Sequence, residues 1–150
     1  MMDIKIVCVG RLKEKYWTDA CGEYAKRLRP YCSLEIVEVK ESPSDDIDEE
    51  GEKLLKKIDK GDHVITLEIN GKPLSSEELS EKFEDLALAG TSRVAFVIGG
   101  SNGLSGDVSA RADEKISFSK MTFPHQLMRA ILLEQVYRSF KILRHEPYHK

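Results

Sequence analysis

Three short stretches of this 150-residue chain place side chains and glycines in arrangements that chemistry can use. The first is Gly99-Gly100-Ser101-Asn102-Gly103-Leu104, directly after an apolar run. Glycine lets backbone N–H groups approach a ligand closely and tolerates positive φ. The spacing G-G-x-x-G matches neither the dinucleotide fingerprint nor the phosphate loop, and a tight strand-to-helix turn would use the same residues. The second is Phe118-Ser119-Lys120-Met121-Thr122-Phe123-Pro124-His125. Its apolar character with a few polar groups suits the wall of a pocket around a flat, largely apolar ligand; a connector burying Met121 and Phe123 would look the same. The third is the terminal Arg144-His145-Glu146-Pro147-Tyr148-His149-Lys150. Imidazole, phenol and cations together can contact phosphate, stack on a base or move a proton. Most termini are frayed, and Pro147 between His145 and His149 argues against a helical metal pair.

These stretches need elements to hold them. Asp3 to Val9 alternates and ends at Gly10, the pattern of a strand. Trp17, Cys21, Tyr24 and Leu28 recur at helical spacing before Pro30, predicting a helix over Lys15 to Leu28. Leu34 to Val39 is a second strand. The acid-rich Ser42 to Glu50 reads as a surface loop, followed by a helix on Leu54, Leu55 and Ile58. His63 to Ile69 and Arg93 to Ile98 are apolar strands. Between them, Asn70-Gly71 would suit a hairpin, yet Pro73-Leu74-Ser75-Ser76-Glu77-Glu78 reads as a helix start, with Leu79, Phe83 and Leu86 on its face. Asp107 to Glu114 predicts a short helix, Ile116 to Ser119 a short strand, and Pro124 to Leu143 a long helix with Met128, Leu132, Val136 and Phe140 as its apolar stripe. Strands alternating with helices predict a single α/β domain over residues 1–150, a mainly parallel sheet flanked by helices. Ligands of such sheets sit outside the carboxyl ends of the strands, which selects the loops after Ile69, Ile98 and Ser119.

Bulk properties exclude several classes. Hydrophobic content of 41% and charged content of 33% are those of an ordinary globular protein. No apolar run approaches the ~20 residues of a membrane span, and Met1 to Gly10 reads as a strand rather than a signal peptide, so the expected location is the cytoplasm. Three cysteines without a C-x-x-C pair suggest neither a disulfide framework nor zinc; they read as small buried hydrophobes, and no metal is expected. The net charge of −3 argues against coating nucleic acid by bulk electrostatics. Its distribution is uneven: Lys5 to Arg29 and Lys120 to Lys150 each carry +4, whereas Glu41 to Asp62 carries −5. Two basic patches on one face, or merely solvated helices, would both produce this.

Together and in order, these segments match a family. VITLEINGKPLSSEEL, FVIGGSNGLS, FSKMTFPHQLMRAILLEQVYRSFKI and the terminal EPYHK, with the N-terminal VCVGRLKEKYW and EYAKRLRPY, closely resemble the RlmH (YbeA-type) ribosomal RNA methyltransferases of the SPOUT superfamily. The resemblance covers nearly the whole chain. It implies a SPOUT (α/β-knot) fold with a C-terminal trefoil knot, a homodimer, and S-adenosylmethionine as cofactor. The cofactor contacts it implies are Leu67, Gly99, and Phe118, Ser119, Lys120, Met121, Thr122 and Phe123. The implied reaction is methylation of N3 of a pseudouridine in 23S rRNA, with the assembled ribosome as partner and free RNA as a poor substrate. Candidate catalytic residues are then His149, Tyr148 and Arg138, with His149 orienting or deprotonating the base. One departure is His145, where the family pattern carries glycine; it leaves the path of the tail open. The alternatives are a ribosome- or RNA-binding module without catalysis, which would need neither the glycine loop nor the Phe118–Phe123 segment, and an α/β enzyme using another nucleotide, against which the missing fingerprints count.

Overall fold

The computed structural model describes all 150 residues, Met1 to Lys150. The elements are β1 (Met2–Val9), α1 (Lys15–Leu28), β2 (Cys32–Val39), α2 (Ile47–Lys56), β3 (His63–Pro73), α3 (Ser76–Leu88), β4 (Arg93–Ile98), α4 (Gly106–Arg111), β5 (Glu114–Ser117) and α5 (His125–Leu143). All strand pairs are parallel, in the order β2-β1-β4-β3-β5. Side chains alternate between the faces of a strand, and the core divides accordingly. Ile4, Ile6 and Cys8 of β1 join Phe96, Leu132, Val136 and Phe140 in a cluster of 20 buried residues under α1, α3 and α5. Val7 and Val9 join Val97, Leu54 and Val108 in a cluster of 8 under α2 and α4. Cys8, Cys21 and Cys32 are buried in the larger cluster, and burial pushes the Cys8 and Cys32 thiols up to about 11. No helix is long and apolar enough to cross a membrane.

Strand β2 begins at Cys32 instead of Leu34 and α4 spans Gly106–Arg111 instead of Asp107 to Glu114; three other boundaries differ from the sequence expectation for a local reason. The expected loop Ser42 to Glu50 gives way to helix at Ile47, because an Asp46 carboxylate oxygen accepts from the N–H groups of Asp48 (3.0 Å) and Glu49 (3.2 Å). The acids of that segment therefore occupy a first helical turn, where the helix dipole favours negative charge. Strand β5 begins at Glu114 instead of Ile116, since Asp113 and Val64 exchange hydrogen bonds of 2.7 and 2.8 Å that draw the chain into the sheet early. Phe118 and Ser119 consequently lie beyond the strand.

Strand β3 departs further. It runs past Ile69 to Pro73 and pairs with β5 twice: Leu67 and Lys72 both oppose Ile116. Glu68, Ile69, Asn70 and Gly71 thus form an excursion that leaves and rejoins the same partner strand. A Cβ on Gly71 would lie 2.6 Å from the Ile116 carbonyl carbon, so only glycine fits there. No hairpin forms. Ser75 caps α3, accepting from the Glu78 N–H while Glu78 accepts from that of Ser75.

The two basic segments fall on one side of the sheet, since α1 and α5 pack together. The patch is smaller than the sequence suggested, because Arg129 is 2% exposed. Its guanidinium donates to Glu38 and to the Gly10 carbonyl (3.0 Å), clamping α5 onto the ends of β1 and β2.

Candidate functional site

Strands β4, β3 and β5 are neighbours, so the loops at their carboxyl ends converge. They enclose a cavity of about 790 Å³, within the range of small-molecule sites. Leu67 and the β3 excursion form one wall, Ile98 to Leu104 a second, and Ser117 to Ser119 and Met121 to His125 with Met128 the third. The glycine loop folds back on itself through a Gly100–Gly103 bridge, and a Cβ on Gly99 would lie 2.5 Å from the Gly103 carbonyl oxygen. The third wall is braced from within: the Ser117 hydroxyl donates to the Ser119 carbonyl (3.0 Å), and the Met121 N–H donates to the Ser119 hydroxyl (2.9 Å).

Of the eight residues implied as cofactor contacts, Leu67, Gly99, Phe118, Ser119, Met121, Thr122 and Phe123 line this cavity; Lys120 does not, and is exposed. The reason is its place at the outer turn of the Phe118–Phe123 loop, where a charged side chain stays in water at no desolvation cost. His125, the last residue of the stretch expected to form a pocket wall, lines the cavity; Glu68, Asn70 and Met128, which sequence reasoning had not assigned to it, line it as well. No local pattern carried a signal for Glu68, because its position depends on the excursion of β3. Electrostatically the cavity is simple. It has no lysine or arginine, and Glu68 is its one carboxylate. The Nε2 atom of His125 is buried with no hydrogen-bond partner.

The second set of sequence candidates also comes together, elsewhere. Arg138 forks onto Glu134, with Nη2 to Oε1 at 2.7 Å and Nε to Oε1 at 3.2 Å. Tyr148 donates to the same carboxylate at 2.9 Å and lies under the guanidinium, 4.7 Å from ring centroid to Cζ. His149 meets Arg138 Nη1 through Nδ1 (3.1 Å) and Glu77 through Nε2 (2.5 Å). A guanidinium can only donate, so Nδ1 accepts, and His149 is held as the Nε2–H tautomer between a cation and a carboxylate. Burial and the bond to Glu134 push the Tyr148 phenol up to about 12, and Glu134 raises the already high value of Arg138. Tyr148 is therefore a neutral donor at physiological pH, unsuited to act as a base. Glu134 and Glu77 were missed in the sequence; Glu134 had a signal, its i,i+4 spacing to Arg138.

The tail reaches this place through a specific turn. His145 has φ +54°, with its N–H bonded to the Ile142 carbonyl (3.1 Å) and that of Glu146 to Lys141 (3.0 Å). This is a Schellman ending, whose left-handed position favours glycine. The departure at His145 thus leaves the turn in place.

Arg138 lies ten residues beyond the pocket residue Met128, about 15 Å along the helix axis. Pocket and polar cluster are two separate places on one chain.

An α/β domain with a parallel sheet and a ligand-sized cavity at three adjacent strand ends is the class defined by this geometry. The chain matches, over residues 2–149, the family model described as "Predicted SPOUT methyltransferase". It is 54% identical to "Putative ribosomal RNA large subunit methyltransferase H" of Methanococcus maripaludis (strain C5), across 99% of this chain and 100% of that protein. "Ribosomal RNA large subunit methyltransferase H" of Clostridium novyi (strain NT) is 54% identical and that of Bacillus pumilus (strain SAFR-032) 51%, with the same coverage. The chain belongs to the SPOUT methyltransferase family.

Proposed function

We propose that this chain transfers a methyl group from S-adenosylmethionine to N3 of a pseudouridine in 23S rRNA of the assembled ribosome, acting as a homodimer. The observation that carries the cofactor assignment is the cavity itself: of small-molecule size, at the strand ends of a SPOUT methyltransferase, without any cation for a phosphate. A dinucleotide or nucleoside triphosphate would bring its negative charge beside Glu68 with no lysine or arginine to offset it, whereas a nucleoside carrying a sulfonium and an amino acid suits apolar walls, backbone amides and one carboxylate. When bound, this group supplies an electrophilic methyl on a cationic sulfur. Leu67, Gly99, Phe118, Ser119, Met121, Thr122 and Phe123 hold it. The relatives' printed names support ribosomal RNA of the large subunit as the substrate.

The homodimer follows from distance. Reacting groups must come within about 3.5 Å of one another, yet Arg138 lies about 15 Å down α5 from the pocket residue Met128, and Arg138, Tyr148 and His149 are bound to carboxylates of their own chain. A two-fold partner brings its tail to the pocket. There His149 takes the proton from N3, Arg138 offsets the negative charge left on the base, and Tyr148 donates a hydrogen bond or stacks. The C-terminal trefoil knot belongs to the same reading. The close approach of Gly71 to the backbone of Ile116, distant in sequence, supports close winding of the chain beside the pocket.

The test uses ribosomes lacking the modification, incubated with the protein and S-adenosylmethionine, and mass spectrometry of the 23S rRNA. The expected result is one added methyl, on a pseudouridine, with little transfer to the isolated stem-loop. No transfer to ribosomes rejects the proposed reaction; equal transfer to the stem-loop rejects the assembled substrate.

A further inference from the structure

Resting on the cofactor assignment above, we propose that Glu68 is the residue by which the pocket distinguishes the cationic methyl donor from its neutral spent form. The cavity has 20 lining residues, none of them lysine or arginine. Glu68 is the one carboxylate among them and His125 the one other titratable side chain. The Glu68 carboxylate is not loose. One oxygen accepts from the Thr66 hydroxyl at 2.6 Å, and both accept from the Ser109 hydroxyl, at 3.0 and 3.1 Å. These donors are neutral, so they orient the carboxylate without cancelling its charge, and it has no salt-bridge partner. Thr66 is fully buried on β3 and Ser109 lies on α4, so two rigid elements fix the carboxylate of this lining residue.

Such a charge acts on whatever enters. In a concave, half-buried site a single carboxylate attracts a cation more strongly than it would in water. The donor carries its positive charge on sulfur. Methyl transfer breaks the carbon–sulfur bond, its electron pair stays on sulfur, and the product is an uncharged thioether. The shape of the ligand hardly changes; its charge falls by one. Apolar walls and backbone amides cannot sense that difference, and Glu68 can. The carboxylate therefore favours loading of fresh donor and release of S-adenosylhomocysteine after each turnover.

The experiment is calorimetric binding of S-adenosylmethionine and S-adenosylhomocysteine to the full-length protein and to Glu68→Gln and Glu68→Asp. Glu68→Gln is expected to weaken the sulfonium ligand about tenfold, between the limits for a charge pair in water and at a protein surface, while the thioether changes less than twofold. Retained thioether binding also shows that the variant is folded. Glu68→Asp keeps the charge and is expected to keep most of the discrimination. A second measurement needs no variant: raising salt to about 1 M, where the Debye length is about 3 Å, should weaken the sulfonium ligand relative to the thioether. Equal losses for both ligands in Glu68→Gln, or an affinity ratio untouched by both substitution and salt, would overturn the role of Glu68 and leave the cofactor assignment standing. Binding of neither ligand to the unsubstituted protein would overturn both.

Discussion

His149 sits with both ring nitrogens engaged, one by Arg138 and one by Glu77. A base so occupied works only after the tail leaves those partners, which suits a group that serves a partner's pocket. His149→Ala is expected to lower methyl transfer to ribosomes by about 10²–10⁴-fold, the range of general base catalysis, with calorimetric affinity for S-adenosylmethionine unchanged. Normal transfer would remove His149 from the reaction. Glu114 illustrates a purely structural charge. Burial pushes its carboxyl up, but hydrogen bonds from Lys82 and His63 outweigh that and hold it below the ordinary value of 4.5. A carboxyl lowered in the folded state contributes stability that is present above its unfolded value and lost as the pH falls through the folded one. Denaturant unfolding at pH 7 and pH 4 should therefore show a smaller acid loss for Glu114→Gln than for the unsubstituted chain; equal losses would deny Glu114 this part.

At the scale of elements, the end of α5 offers a direct check on backbone strain. His145 holds φ +54° in a Schellman turn, a conformation costing an L-residue about 1–2 kcal/mol. Its side chain has no hydrogen bond that would be forfeited on removal. His145→Gly is thus expected to stabilise the fold by up to about 1 kcal/mol, since the greater freedom of unfolded glycine offsets part of the relief. Chemical denaturation measures it, and a destabilised variant would show that the turn is not strained. The tail is legible only in part from sequence. EPYHK pointed to chemistry, but its docking on Glu134 and Glu77 joins residues up to 72 apart in the chain, beyond the reach of any local pattern.

The molecule as a whole separates the proposed cofactor pocket from the proposed catalytic tail on each chain, and that separation makes the proposed dimer testable by mixing. Gly99→Ala is expected to lose the pocket, because the new Cβ would press on the Gly103 carbonyl; His149→Ala is expected to lose the tail. Each alone should be inactive. Subunits exchanged between them should recover activity if pocket and tail act across the two-fold, because a mixed dimer then contains one intact site. If each chain uses its own tail, no mixed dimer has an intact site and activity stays at background. Methylation assays before and after exchange decide between these outcomes.

The sequence by itself determined the elements and the segments that matter. Alternation and helical periodicity are local, since side chains at i+2 or i+4 share a face whatever the neighbours are. That is why α1, β4 and α5 and the loops ending at Leu104 and His125 were legible. Tertiary structure decided adjacency. The order β2-β1-β4-β3-β5 places the ends of three strands side by side and makes one cavity of three loops. The double pairing of β3 with Ile116 makes Glu68 a lining residue of the pocket, and the outer turn of the Phe118–Phe123 loop leaves Lys120 outside it. Periodicity reports that a face is buried but not against what; strand order and register are fixed by contacts between distant residues, and those exist only once the chain has folded.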